Sequence, residues 1–144
     1  MITSNTYADL IPHGRGMQLI DRVISFDKEK IHCETESHLN PNNPLLEDGK
    51  LHSVILVEYA AQAAAIHVAL NHKETTKQTP AFIGSLKNIS LSQHYLSGIA
   101  APLTMMASCA LLNNNGAIYE FKAFADTIIA QGRLSLISPT NHTG

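Results

Sequence analysis

An antiparallel sheet wrapped around one long central helix, an α+β arrangement, is the fold class this sequence predicts. Two observations predict it. The run Leu51 to Asn71 is apolar almost all the way round, with Glu58, Gln62 and His67 as the polar interruptions between Val54 and Leu70. A helix with that pattern has no polar stripe to turn toward solvent and must be enclosed. Two β-prone runs precede it and four follow, separated by turn residues. The 144 residues suffice for a single domain, 1–144, that closes a sheet over the helix.

The elements follow in order. Ile20 to Phe26 and Ile31 to Glu36 are β-prone and joined by Asp27-Lys28-Glu29-Lys30, which predicts a hairpin with a short polar connection. The next stretch, HLNPNNPLLEDGK, holds two Pro and one Gly and is expected to be irregular. Ser53 stands where an N-cap belongs. The six alanines at 60, 61, 63, 64, 65 and 69 make the helix narrow, so a sheet can approach its backbone closely. The polar run HKETTKQTP predicts a connecting loop. Four strands then come in hairpin succession: Ala81 to Leu91, Pro102 to Leu112, Ala117 to Ala125 and Ile128 to Ile137. The second alternates at Leu103, Met105, Ala107, Cys109 and Leu111. Asn115-Gly116 marks a tight turn, Asp126-Thr127 a hinge, and the tail SPTNHTG is expected to fray. One layer of sheet cannot cover every side of such a helix, so a second copy or a related chain is expected to complete its burial.

Composition narrows the function. A net charge of -2 gives no reason to expect nucleic-acid binding. The N-terminus lacks a basic start followed by an apolar run, which predicts a cytoplasmic protein, and Glu58 and Gln62 at mid-helix argue against a membrane span. Cys33 and Cys109 are far apart in strand-like stretches and indicate neither a disulfide framework nor a thiol nucleophile. Eight His raise the question of metal, but no HxxxH or HExxH spacing occurs, so no metal site is expected.

Glu58 is the residue with a claim to chemistry. A carboxylate in the middle of an enclosed helix is costly unless it is paired or protonated, and a group in that environment is a candidate acid or base. The alternative is a carboxylate at a gap in the wrapping or beside a basic neighbour.

The sequence also resembles a known family, the hot-dog fold dehydratases that act on 3-hydroxyacyl chains carried by acyl carrier protein. Ile11-Pro12-His13 and Met17-Gln18-Leu19-Ile20-Asp21-Arg22-Val23 look like the family's opening. Val54-Ile55-Leu56-Val57-Glu58-Tyr59-Ala60-Ala61-Gln62-Ala63-Ala64 looks like its central helix, and Gly132-Arg133-Leu134 is similar to its last strand. Within the family the chain is most similar to the dehydratase-like proteins of aryl-polyene biosynthesis clusters. One departure matters. The active dehydratases carry a His, in Gly-His-Phe-Pro, fourteen residues before the helix acid, and that place is Pro44 here. The Pro-Gly pair at the helix entrance is replaced by His52-Ser53.

The resemblance implies a lyase, or a subunit of one, in fatty acid or polyene/polyketide biosynthesis. It acts at a site that spans a subunit interface, with an acid on one chain and a His on the other. Glu58 is the implied catalytic acid. Backbone N–H groups at the helix start, around Ser53 and Val54, would face the thioester oxygen. His52 stands near enough to contact the substrate or replace the missing base, and Gln62 to hold the carboxylate or fill a polar niche. Three readings follow from Glu58 without the His: half of a heterodimer whose hot-dog partner supplies the His, a thioesterase in which Glu58 directs a water, or a structural partner without activity. Ile55, Tyr59, Phe82 and Met105 are tunnel candidates by character. Arg15, Arg22, Lys50, Lys87 and Arg133 are candidates for contact with the acidic acyl carrier protein. No cofactor is expected.

Overall fold

The computed structural model describes residues 2–3, 18–71 and 82–137. Seven strands form one sheet in which every pairing is antiparallel: β1 (Ile2–Thr3), β2 (Arg22–Phe26), β3 (Lys30–Thr35), β4 (Phe82–Leu91), β5 (Leu103–Asn113), β6 (Gly116–Phe124) and β7 (Ile128–Ile137). Their order is β1-β2-β3-β5-β6-β7-β4. The short β1 was not foreseen, because two residues carry no periodicity.

The helix α1 (Leu56–Asn71) continues from a 3-10 turn, Ser53–Ile55. The stretch Ser53–Asn71 is long and apolar enough to cross a bilayer, and here the helix lies against β3, β5, β6 and β7. Tyr59, Ala60, Ala63, Ala64 and Ile66 are buried against Ile31, Cys33, Leu103, Met105, Tyr119 and Phe121. This is the enclosed helix that the apolar run predicts, and the alanines let the strands come close.

The β2–β3 turn forms because the Asp27 carboxylate accepts hydrogen bonds from the N–H groups of Glu29 (2.8 Å) and Lys30 (2.9 Å). The β5–β6 turn sits one residue earlier than expected. Asn114 and Asn115 are its tip, and Gly116, at φ 156°, already pairs with Asn113 as the first residue of β6. A Cβ there would overlap the Leu136 carbonyl, so glycine serves close packing rather than the turn itself. Along β5 the alternation buries Leu103, Met105 and Ala107 and then fails: Cys109 is half-buried and Leu111 is 51% exposed. A register shift between Cys109 and Leu111 breaks the pattern.

The segment expected to be irregular is mostly so, but it is well held. It contains a 3-10 turn at Ser37–Leu39 and a tight turn in which Glu47 and Lys50 exchange two backbone hydrogen bonds, with Asp48 and Gly49 at positive φ. The predicted loop 72–80, the first residue of the predicted strand Ala81 to Leu91 and the predicted frayed tail lie outside the described residues.

Candidate functional site

The helix start is fixed by strand-like pairing, not by a cap. Leu96 donates its N–H to the Leu51 carbonyl, Ser53 donates its N–H to the His94 carbonyl at 2.7 Å, and His52 and Tyr95 form a bridge between them. His52 takes the N-cap position and makes no side-chain cap. Ser53 is therefore not the predicted N-cap. It is buried, and its hydroxyl donates to the Gln93 carbonyl, because the extended pairing with 94–96 turns its polar groups away from the helix.

An open groove of about 540 Å³ lies at this helix start, with Pro44, Leu45, Leu46 and Glu47 on the loop side and His52, Val54 and Ile55 on the helix side. Pro44, the position from which the family His is missing, and His52 thus line the same groove. Val54 is 55% exposed, and its N–H makes no hydrogen bond among the described residues. The Ser53 N–H is taken by His94, so of the two predicted amides only that of Val54 is open.

Glu58 lies one turn beyond Val54 and Ile55 on the same side of the helix and does not line the groove. Its surroundings show how the wrapping fails there. Ile55, Glu58, Ala65, Val68 and Ala69 are half-buried in a helix whose other residues are almost all buried, and they recur at intervals of three, four and seven. This is the one stripe that the sheet leaves open. Glu58 sits within it and forms no ion pair among the described residues. The reading of Glu58 as a carboxylate at a gap in the wrapping thus describes the chain by itself.

β4 is equally unfinished. It ends the sheet and pairs only with β7 among the described strands. Leu86 pairs in register with the buried Leu134 and so faces inward, yet it is 44% exposed, beyond the strands against which the central helix packs.

Other predicted residues serve the scaffold. Gln62 is buried, and its side-chain carbonyl accepts the Leu19 N–H at 2.8 Å, tying the chain before β2 to the helix. Tyr59 and Met105 are fully buried in the core and do not reach the groove; of the tunnel candidates Ile55 does. Among the basic candidates Arg22 is paired with Glu34 at 2.7 Å and Arg133 with Glu120, whereas Lys50 lies 5.2 Å from the Tyr95 ring centre beside the groove. His13 and Arg15 lie outside the described residues. Burial pushes the Cys33 thiol up to about 12, which makes it inert as a nucleophile. Among the described residues no three His, Cys, Asp or Glu side chains converge as a metal site would require.

Sequence reasoning missed a polar cluster at the same end of the helix. The Tyr59 hydroxyl accepts a hydrogen bond from the Asn43 amide (3.1 Å) and donates its own proton to Ser37 Oγ (2.9 Å), while Thr35 and Ser37 both donate to the Leu19 carbonyl. Beside them His38, 8% exposed, donates from Nε2 to the Ile99 carbonyl, while its buried Nδ1 makes no hydrogen bond among the described residues. At the other end of the helix His67 is buried between Tyr119 and the Asp27 carbonyl.

The sequence matches the ApeP-like family, described as ApeP dehydratase, over residues 5–144. No curated protein sequence matches the chain. Among solved structures it is similar to the dehydratase heterocomplex ApeI:P from Xenorhabdus doucetiae, with TM-score 0.84 at 19% identity over 98% of this chain and 93% of that one. It is also similar to an HP0420 homologue from Helicobacter felis, with TM-score 0.61 at 18% identity, covering 94% of this chain and 91% of that one. A hypothetical thioesterase with coenzyme A from Streptococcus pneumoniae gives TM-score 0.58 at 10% identity, covering 85% and 90%. These likenesses establish the hot-dog fold, an antiparallel sheet with one long central helix.

Proposed function

We propose, from the premise that this chain belongs to the ApeP-like dehydratase family, that it is one subunit of a heteromeric 3-hydroxyacyl-acyl-carrier-protein dehydratase in polyene biosynthesis. Its hot-dog partner supplies the histidine that is Pro44 here. One observation carries the reading: Glu58 lies within the single helix stripe that the chain's own sheet leaves uncovered. The edge of β4 away from β7, without a strand partner among the described residues, is a second open surface. The match to a chain of the ApeI:P heterocomplex supports a heteromeric assembly.

Dehydration removes a proton from carbon 2 of the acyl chain and expels the 3-hydroxyl as water. It calls for a base and an acid with separated proton affinities. A carboxyl group that must give a proton to a leaving hydroxyl needs a site cleared of water, and a second chain laid over the stripe clears it. Glu58 then acts as the acid and the partner's histidine as the base. The thioester carbonyl rests near the helix start, where the Val54 N–H meets the charge that develops on oxygen.

The test is reconstitution. The purified chain alone forms no enoyl product from a 3-hydroxyacyl thioester, whereas the mixture with a hot-dog chain that carries Gly-His-Phe-Pro does. In that mixture Glu58→Gln lowers turnover by about a hundredfold or more. Enoyl formation by the chain alone, or full activity of Glu58→Gln, overturns the proposal. Release of free thiol by the chain alone would instead support a hydrolase that uses the same carboxylate.

A further inference from the structure

Two loops frame the groove at the helix start, and one imidazole joins them. Asn43 anchors the wall that Pro44 to Glu47 provide. Its side-chain amide donates to the Ser37 carbonyl (2.8 Å) and the Tyr59 hydroxyl (3.1 Å), and its two oxygens accept the N–H groups of Leu45 (2.9 Å) and Leu46 (3.2 Å). The helix side is held by 94–96, whose pairing places Leu51, His52 and Ser53, and the same segment runs on to Ile99, which donates its N–H to the Leu96 carbonyl at 3.2 Å. His38 stands between the two loops, next to Ser37, and its Nε2 lies 3.1 Å from the Ile99 carbonyl. Among the described residues no other hydrogen bond joins 36–47 to 92–101.

A bond to a carbonyl requires a proton on Nε2, so in the neutral ring Nδ1 is a bare acceptor, buried and accepting no hydrogen bond among the described residues. Protonation adds at Nδ1 an N–H that meets no acceptor there, together with a charge taken out of water. Two carboxylates face the ring, Glu36 from its own segment and Asp21 from the chain before β2. The helix turns the Tyr59 hydroxyl toward the same cluster, and the loop from Leu96 to Ala101 brings no titratable group. Burial keeps the ring neutral and outweighs the Ile99 and Ala101 carbonyls, Glu36 and Asp21, all of which favour the proton. Glu36 is exposed and Asp21 half-buried, so a charged ring finds them, and water, only by turning outward. We propose that His38 is a proton-operated latch: neutral, it ties together the two loops that frame the groove, and protonated it swings out, releases Ile99 and lets the groove open. The consequence for catalysis, a weaker hold on the acyl thioester in acid, rests on the function proposed above; the latch itself does not.

Nuclear magnetic resonance of the full chain tests the latch without partner or substrate. In a titration from about pH 8 down to about pH 5 the imidazole nitrogen signals of His38 are expected to show a protonated Nε2 and a bare Nδ1 at the start, and both protonated at the end. The amide signals of Asn43, Leu45 and Leu46 and those of Leu96 and Ile99 should shift with that same midpoint, while those of Ala107 in β5 and Phe121 in β6 stay in place. His38→Gln keeps a donor for Ile99 and cannot titrate, so it should remove the midpoint from both loops. Glu47 and His52, 3.7 Å apart, line the same groove, and His52→Gln should leave the midpoint where it was. Loop shifts that survive His38→Gln and vanish in His52→Gln assign the switch to His52 and overturn the proposal. So does a His38 ring that stays neutral until the strands unfold, or one that titrates while the loop amides stay still. A working latch in a chain whose reconstituted complex forms no enoyl product would sink the dehydratase reading alone.

Discussion

The buried imidazole of His67 is satisfied on both sides. Its Nε2 donates to the Asp27 carbonyl at 2.7 Å, so Nδ1 is an acceptor and takes the Tyr119 hydroxyl proton at 2.6 Å. Burial raises the Tyr119 hydroxyl far above the ordinary tyrosine range, which keeps that donor in place. Tyr119→Phe strands a buried acceptor, and we expect a loss of about 1–3 kcal/mol in denaturant unfolding with little change in activity. His38 is not satisfied in the same way, and burial holds its proton affinity below the ordinary value of 6.5. As the pH falls below that value the unfolded chain takes up a proton that the folded chain refuses. Stability is therefore full above pH 6.5 and declines as the pH drops toward the lower folded value. Unfolding midpoints measured from pH 8 to 5, in steps of about half a unit, should show this decline, and His38→Gln should flatten it. Neither imidazole was legible as a scaffold residue in the sequence. His67 stood out only as a polar interruption, and the partner of His38, Ile99, is 61 residues away in an irregular loop. Glu58 was legible, because a charge within an apolar run can be seen without knowing any contact.

At the scale of elements the periodicity carried most of the fold. Ile128–Ile137 has the bounds its apolar run predicts, and the helix and the other long strands begin or end within about two residues of theirs. What periodicity does not contain is the order of the strands. That β4 ends up beside β7, at the edge of the sheet and beyond the cover of the helix, depends on contacts between runs far apart in sequence. The groove is hidden for the same reason, since its geometry comes from the pairing of 51–53 with 94–96. The exposed inner face of β4 yields a prediction of its own. Leu86→Asp places a charge where a covering chain must pack, while solvent still reaches the position in the chain alone. The variant is expected to keep its far-UV circular dichroism and to elute without its hot-dog partner in size-exclusion chromatography. Co-elution of Leu86→Asp with the partner would show that β4 lies outside the interface.

Taken as a whole, the molecule leaves open a helix stripe and a sheet edge that a second hot-dog chain can cover. Anything that binds the folded chain and not the unfolded one adds RT ln(1 + [partner]/Kd), about 2.7 kcal/mol when the partner stands at a hundred times its dissociation constant. The melting temperature of the mixture should therefore exceed that of either chain and rise with concentration, whereas the separate chain should melt at a temperature that does not depend on the partner. Glu58 opposes this gain, because covering the stripe takes its carboxyl out of water with no basic side chain among the described residues of its own chain paired with it. A residue kept for chemistry and not for assembly should show it by the sign of its replacement. Glu58→Leu is expected to raise the melting temperature of the complex while abolishing enoyl formation. A lower melting temperature in the Glu58→Leu complex than in the wild type would mean that the carboxyl finds a stabilising partner across the interface and is held there as a structural ion pair.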